Sequence, residues 1–299
     1  MDGEPIAAPR NAPLELKLKI MLRNWSYPEF REILYREARE DKGHNYSGVY
    51  KRLYAYLRAL ELRRQGLSYN RVRSTVLKEI GYALSRLGLS YWLRGLRTPL
   101  GNIAVFDVRR REVGLVMGLI LSDGHERRYY NRGHVNDRRE QFSNRDESIL
   151  KEFREACHRL KLTIYEELAP TELGGKCWRL KTSSTLLYLL LKRFDEFIVK
   201  APSDVQWHFL RGLWLGDGCI KRCELYNTDL RIIKTASTLL ATHQVEFTVE
   251  GPYNPEPPGK RPKYVVYIKS HSRKRFFKLA GFAESPPRPS QRINFGHCR

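Results

Sequence analysis

The feature that most constrains this chain is an apolar helix written twice. Val116-Met117-Gly118-Leu119-Ile120-Leu121-Ser122-Asp123-Gly124 is matched by Leu210-Arg211-Gly212-Leu213-Trp214-Leu215-Gly216-Asp217-Gly218. Each copy has a glycine in its middle and ends in Asp-Gly, and the two aspartates stand 94 residues apart. A repeat of that period is long enough for one compact α/β unit and decides the architecture. A mid-helix glycine costs about 1 kcal/mol relative to alanine. Gly118 and Gly212 therefore make sense where two helices pack with their backbones nearly touching. Such packing brings Asp123 and Asp217 together at one end, where two bare carboxylates repel and a divalent cation between them relieves the repulsion. One copy alone would read as a core helix ending in a solvent-facing turn; two copies at domain-length spacing favour the paired site. The glycine after each aspartate is expected to stop its helix in the left-handed conformation.

Composition narrows the partner. The chain has 299 residues, a formal net charge of +21 and 41% hydrophobic residues, so it is globular and basic, and suited to a polyanion such as nucleic acid. No apolar run reaches the roughly 18 residues of a membrane span. The N-terminus carries Asp2 and Glu4 without an apolar core segment, so no signal peptide is expected. Five scattered cysteines (Cys157, Cys177, Cys219, Cys223, Cys298) form no Cys-x-x-Cys pair, which argues against zinc and for a reducing, cytoplasmic setting.

Along the chain, residues 1–100 are expected to form an all-α N-terminal domain, after a loose proline-containing lead over 1–13. Within it, 57–95 has the pattern of a helix-turn-helix: a helix stopped by Gly66, a second capped by Ser68 and interrupted by Gly81, and a closing Trp92-Leu93-Arg94-Gly95. Arg86, Ser90, Tyr91 and Arg94 would be its DNA-facing side chains; a plain helical cap is the competing reading. Repeat one is placed at 101–200, repeat two at 201–282 and a C-terminal tail at 283–299. Each repeat reads as helix-strand-strand-helix-strand-strand-helix, and two such units pair naturally about a pseudo-two-fold axis. Ser26 is expected to cap the helix at 28–39, and Ser203 to Gln206 to form a capping box.

The copies align residue by residue. Phe142 to Asp146 matches Leu225 to Asp229, offset by 83, and Trp178 to Ser183 matches Val266 to His271, offset by 88. Strand alternation then puts Arg179 and Lys181 on one face and Trp178 and Leu180 on the other, with Tyr267 and Lys269 sharing the corresponding face of the second copy. Two cationic sheet faces side by side make a saddle for duplex DNA, with phosphate contacts giving affinity and base edges giving sequence choice. The candidate DNA-contacting residues are Arg127, Arg132, Arg138, Glu140, Arg179, Lys221, Arg222, Glu224, Lys260, Arg261 and Lys263.

Over residues 110–280 the chain resembles the LAGLIDADG homing endonucleases in their single-chain, two-motif form. The central glycine and final Asp-Gly match in both copies; Leu121 and Leu215 stand where the family pattern has its first aspartate. The resemblance implies an α+β fold of two αββαββα repeats forming a DNA-binding saddle. It implies that Asp123 and Asp217, with the main chain of Ser122 and Gly216, hold two or three Mg²⁺ ions, Mn²⁺ or Ca²⁺ substituting for binding. It further implies water positioning by Asn144 and Asn227, and charge stabilisation by Lys181 and Lys269. The function implied is a monomeric, intron-encoded, site-specific double-strand DNA endonuclease. Two alternatives stay open on the same scaffold: an RNA maturase that binds intron RNA, and a non-catalytic DNA-binding regulator. Both aspartates are present, which favours cleavage.

Overall fold

The structure, a computed structural model, describes residues 5–40, 48–131, 134–170, 175–254 and 262–282, without the side chains of 125–139. Arg132, Lys260, Arg261 and the tail at 283–299 lie outside the described residues, as do the side chains of Arg127 and Arg138.

Five helices come first: α1 (Leu14–Ser26), α2 (Pro28–Glu40), α3 (Gly48–Arg64), α4 (Tyr69–Ile80) and α5 (Arg86–Leu93). The lead is not loose throughout. β1 (Ala7–Ala8) pairs antiparallel with β2 (Val105–Phe106). The buried Asn24 side chain extends that ladder like a further strand, donating to the Phe106 carbonyl at 2.8 Å and accepting from the Val108 amide at 3.1 Å. Lys17 is buried too; its ammonium is satisfied by the carbonyls of Leu100 at 3.1 Å, Gly101 at 2.9 Å and Arg10, and burial lowers its pKa. Ser26 does not cap α2. It closes α1 and donates to the Arg23 carbonyl at 2.7 Å, while Pro28 opens α2 directly.

The first repeat runs α6 (Arg111–Asp123), β3 (Gly124–Asn131), β4 (His134–Asn144), α7 (Glu147–Arg159), β5 (Ile164–Pro170), β6 (Lys176–Thr182) and α8 (Thr185–Lys192), followed by a connecting α9 (Phe194–Ile198). The second runs α10 (Ser203–Asp217), β7 (Gly218–Cys219), β8 (Glu224–Asn227), α11 (Leu230–Thr242), β9 (Phe247–Tyr253), β10 (Lys263–Ile268) and α12 (Arg273–Ala280). The antiparallel sheets have corresponding strand orders, β3-β4-β6-β5 and β7-β8-β10-β9. The α+β class and the doubled αββαββα order are as expected. The capping box at Ser203 does not form; Gln206 instead donates to the carbonyls of Ile198 and Val199, both at 3.1 Å.

Repetition extends to the turns. Asp146 caps α7 by accepting from the Ser148 amide, and Asp229 caps α11 by accepting from the Arg231 amide, both at 2.8 Å. Just beyond these helices Lys161 and Gln244 adopt φ of 55° and 56°. The register departs from the sequence alignment in one place. Asn144 pairs with Trp178 on β6, whereas Asn227 pairs with Tyr264 on β10. The last strands are therefore offset by 86 rather than 88, and Lys181 corresponds to Tyr267. Lys269 lies past the end of β10.

One buried core runs from α1, α2 and α3 through both repeats, with Phe142, Leu180, Leu225 and Val266 from the sheets and most of α6 and α10 at its centre. The division at residue 100 is thus one of sequence, not of the core. A smaller separate cluster joins Ala59, Leu62, Val72, Leu84 and Leu89 of α3, α4, α5 and the turn before α5.

Candidate active site

The site is made by how closely α6 and α10 approach. A Cβ on Gly212 would stand 2.6 Å from the Leu115 carbonyl oxygen and 2.9 Å from the Cα of Gly118. A Cβ on Gly118 would meet the Gly212 Cα at the same 2.9 Å. Backbone meets backbone, and only hydrogen fits between. Gly114 and Gly216 belong to the same seam: a Cβ on Gly114 would crowd the Phe209 amide at 3.0 Å. The sequence reading assigned neither glycine to the seam, although each helix carries a Gly-x-x-x-Gly spacing that signals it. The Ser122 hydroxyl lies at the seam, with its one proton within reach of the carbonyls of Gly118 at 2.9 Å, Leu119 at 3.1 Å and, across the seam, Gly212 at 3.5 Å.

The Asp-Gly steps work differently from the expectation. Gly124 has φ −111° and Gly218 φ −98°, so both are extended, not left-handed, and each helix passes straight into a strand. Space explains the glycines instead. A Cβ on Gly124 would stand 2.6 Å from the Gln141 carbonyl of β4, and one on Gly218 would stand 2.7 Å from the Trp214 Cα.

Asp123 and Asp217 consequently end α6 and α10 side by side. The Asp123 carboxyl lies against Gly216, where a Cβ would come within 3.4 Å of its Cγ. Each aspartate receives one matched hydrogen bond. The Asn144 amide donates to Asp123 Oδ2 at 2.8 Å, and the Asn227 amide donates to Asp217 Oδ2 at 2.7 Å. Each asparagine is itself fixed: its Oδ1 accepts from the Asp146 amide at 2.8 Å or the Asp229 amide at 2.7 Å. One end of each side chain is thus anchored to the backbone and the other holds a carboxylate, a role sequence reasoning did not assign them.

The electrostatics are those of a site short of positive charge. Burial, then the charge of Asp123, push Asp217 up to about 7, against a smaller opposing effect of Asn227 and Lys263. Burial raises Asp123 too, opposed by the Asn144 hydrogen bond. Both helices also point their C-terminal ends here, adding roughly half a negative charge each, and the last-turn carbonyls of Ser122 and Gly216 have no helical amide to receive. Two carboxylates and main-chain carbonyls are hard oxygen donors, the set that suits Mg²⁺ or Ca²⁺. Among the described residues no cluster of three or more His, Cys, Asp or Glu side chains could hold an ion alone. The remaining ligands would have to come from a bound partner or from water.

A cleft of about 660 Å³ opens beside the pair, lined among others by Ser122, Asp217, Asn227, Tyr226, Lys192 and Lys263. Its cations are not the ones the alignment named. Lys181 is nearly buried and paired with Glu167 at 2.6 Å. Its partner across the strands, Gln141, is three residues from Asn144, which places Lys181 on the opposite face of the sheet from Asn144. Lys269 is exposed and does not occupy the corresponding position. Lys192, at the end of α8, carried no sequence signal; it lines the cleft through the fold, with its ammonium held by Glu37 of α2.

The other candidates divide. Lys221 is exposed, and Lys263 is exposed over the Tyr226 ring at 4.1 Å. Arg222 lies over the same ring and binds Glu224 at 2.9 Å. Arg179 bonds the Pro170 carbonyl at 3.4 Å. Glu140 and Glu224 are buried, and Glu140 lines the cleft.

Two αββαββα units, joined by glycine-seamed helices that each end in an aspartate, have the element order and seam that the LAGLIDADG resemblance implies. Among solved structures the chain is similar to the homing endonuclease I-DmoI in complex with DNA and Mn, at 19% identity and TM-score 0.47, covering 58% of this chain and 98% of that one. It is similar to the same protein with DNA and Ca, at 19% and 0.46, covering 57% and 88%. It is also similar to the N-terminal LAGLIDADG domain of WhiA, at 11% and 0.41, covering 58% and 84%. No protein-family model and no curated protein matches the chain. No helix among the described residues is long and apolar enough to cross a membrane.

Proposed function

We propose that this chain is a metal-dependent endonuclease, encoded within a mobile intron, that cuts both strands of duplex DNA at one long recognition site. The observation that carries this reading is the pair of half-buried, charge-starved carboxylates at the α6–α10 seam, one from each repeat. In a chain of net charge +21 such a negative point is out of keeping, unless a cation bridges it to a phosphate.

Asp123 and Asp217, with the carbonyls of Ser122 and Gly216, would hold the ion. When bound, a divalent cation polarises the phosphoryl oxygen, makes hydroxide available from water and steadies the leaving 3′ oxygen. Asn144 and Asn227 keep the two carboxylates turned toward the seam, each acting on its own half. Lys263 places positive charge beside Asp217, where the backbone of one DNA strand would pass. One carboxylate per repeat matches one strand per half.

The test is a supercoiled plasmid carrying the joined flanks of the intron, incubated with and without Mg²⁺. Linear product that needs the metal supports the reading. Stimulated splicing without DNA cutting would replace it with a maturase, and tight binding with neither activity would replace it with a regulator.

A further inference from the structure

The α3–α5 unit takes no part in the cleft, yet its surface is built for a purpose. Residues 57–97 contain nine Lys or Arg side chains against two carboxylates, Glu61 and Glu79. Both carboxylates are turned inward. Arg58 holds Glu79 at 2.8 Å and Glu61 at 2.6 Å, and Arg31 of α2 also takes Glu61 at 2.6 Å. Arg63 and Arg73 are spent on the Leu67 and Leu84 carbonyls. The remaining six, Arg64, Arg71, Lys78, Arg86, Arg94 and Arg97, are exposed, and among the described residues none forms an ion pair. The outer surface is left wholly cationic.

α5 presents that charge in an ordered way. Leu89, Trp92 and Leu93 face α3 and α4, which leaves Arg86, Leu87, Ser90, Tyr91 and Arg94 on one outer face. Arg94 and Arg97 both lie over the Tyr91 ring, at 5.6 and 5.7 Å, so their long side chains are held in place before any partner arrives. Leu87 is 59% exposed in the middle of this face, a cost in water that contact with an apolar edge such as a thymine methyl removes. The unit has its own small core, and its turn is set by Gly81 at φ 65° and by Ser85, which caps α5 at 2.9 Å.

We infer that α5 is a second, separate contact with duplex DNA, laid into the major groove outside the cleft and lengthening the bound site. The inference rests on the nuclease reading only for DNA being the polymer at hand. Binding is read without cleavage, so the two can fail independently.

The test uses the full chain carrying Asp217→Asn, which keeps the DNA intact, on a roughly 40-bp duplex of mixed sequence. Binding is measured against salt with and without Arg86→Ala, Arg94→Ala and Arg97→Ala together. If each arginine meets one phosphate, the slope of log K against log salt becomes shallower by about 2 to 3. A control triple on repeat two, Lys234→Ala, Lys274→Ala and Lys278→Ala, removes the same net charge from exposed positions of α11 and α12 and should change the slope much less. Equal slopes for the α5 triple and the unsubstituted face, or equal losses in both triples, overturn the inference. Loss confined to structured intron RNA overturns it in favour of an RNA contact. All six changes are at exposed side chains, and a thermal melt matching the parent confirms that the fold is intact.

Discussion

Gly212→Ala is the sharpest perturbation of the seam. The added Cβ would stand 2.6 Å from the Leu115 carbonyl oxygen and 2.8 Å from the Leu119 amide nitrogen. A carbon and an oxygen rarely approach closer than about 3.3 Å, so the helices must part by roughly 0.7 Å. Overpacking costs about 1–3 kcal/mol, and here the obstacle is backbone, which cannot rotate away as a side chain can, so the upper end applies. Alanine returns about 1 kcal/mol of helix propensity. The net loss is about 2 kcal/mol, or about 3 °C in melting temperature for a chain of this size. Asp217 moves with its helix, and displacements approaching 1 Å lower rates by up to about 100-fold, so cleavage should fall 10- to 100-fold. Calorimetry and single-turnover cleavage measure the two effects. The control is Gly48→Ala, where nothing lies within 4 Å of the new Cβ and both quantities should hold. A Gly212→Ala protein that melts at or above the parent temperature and cleaves at the parent rate would falsify backbone contact at the seam.

Asp123→Asn and Asp217→Asn should each abolish linear product while DNA affinity in a gel-shift stays within a few-fold; cutting by either variant removes the metal role. Asn144→Ala and Asn227→Ala should each lower the cleavage rate by roughly 10- to 100-fold, the usual cost of removing a ligand's orienting partner. Nicked circles should accumulate as the two halves fall out of step; equal slowing of both strands would mean the asparagines do not serve separate halves. Asp217 is raised to about 7 from an ordinary 3.8. Its folded pKa exceeds the unfolded one, so without a cation the fold loses stability as pH rises from about 4 to about 7, whereas a cation requires the ionised form. Cleavage should therefore rise with pH through about 7, and higher Mg²⁺ should move the midpoint down; a flat rate–pH profile at both high and low Mg²⁺ excludes this coupling.

Much of the design was legible without coordinates because it is local or repeated. The period of the motif, the central glycines and the Asp-Gly ends fixed the pairing of α6 with α10, since a mid-helix glycine has few uses other than close approach. The match of Asn144-Arg145-Asp146 with Asn227-Thr228-Asp229 picked out the asparagines that hold the carboxylates. What the chain order could not contain is register and distance. An offset of 86 instead of 88 keeps the alternation of faces intact, so the pattern of apolar residues cannot reveal the slip, yet it removes Lys269 from the strand and breaks its match with Lys181. Lys192 shares the cleft with Asp217 only because the end of α8 meets α11 of the other repeat, a relation between residues distant in sequence. The glycines after the aspartates needed the tertiary structure for the same reason: what excludes a side chain at Gly124 is the Gln141 carbonyl on a neighbouring strand, not its own backbone angle.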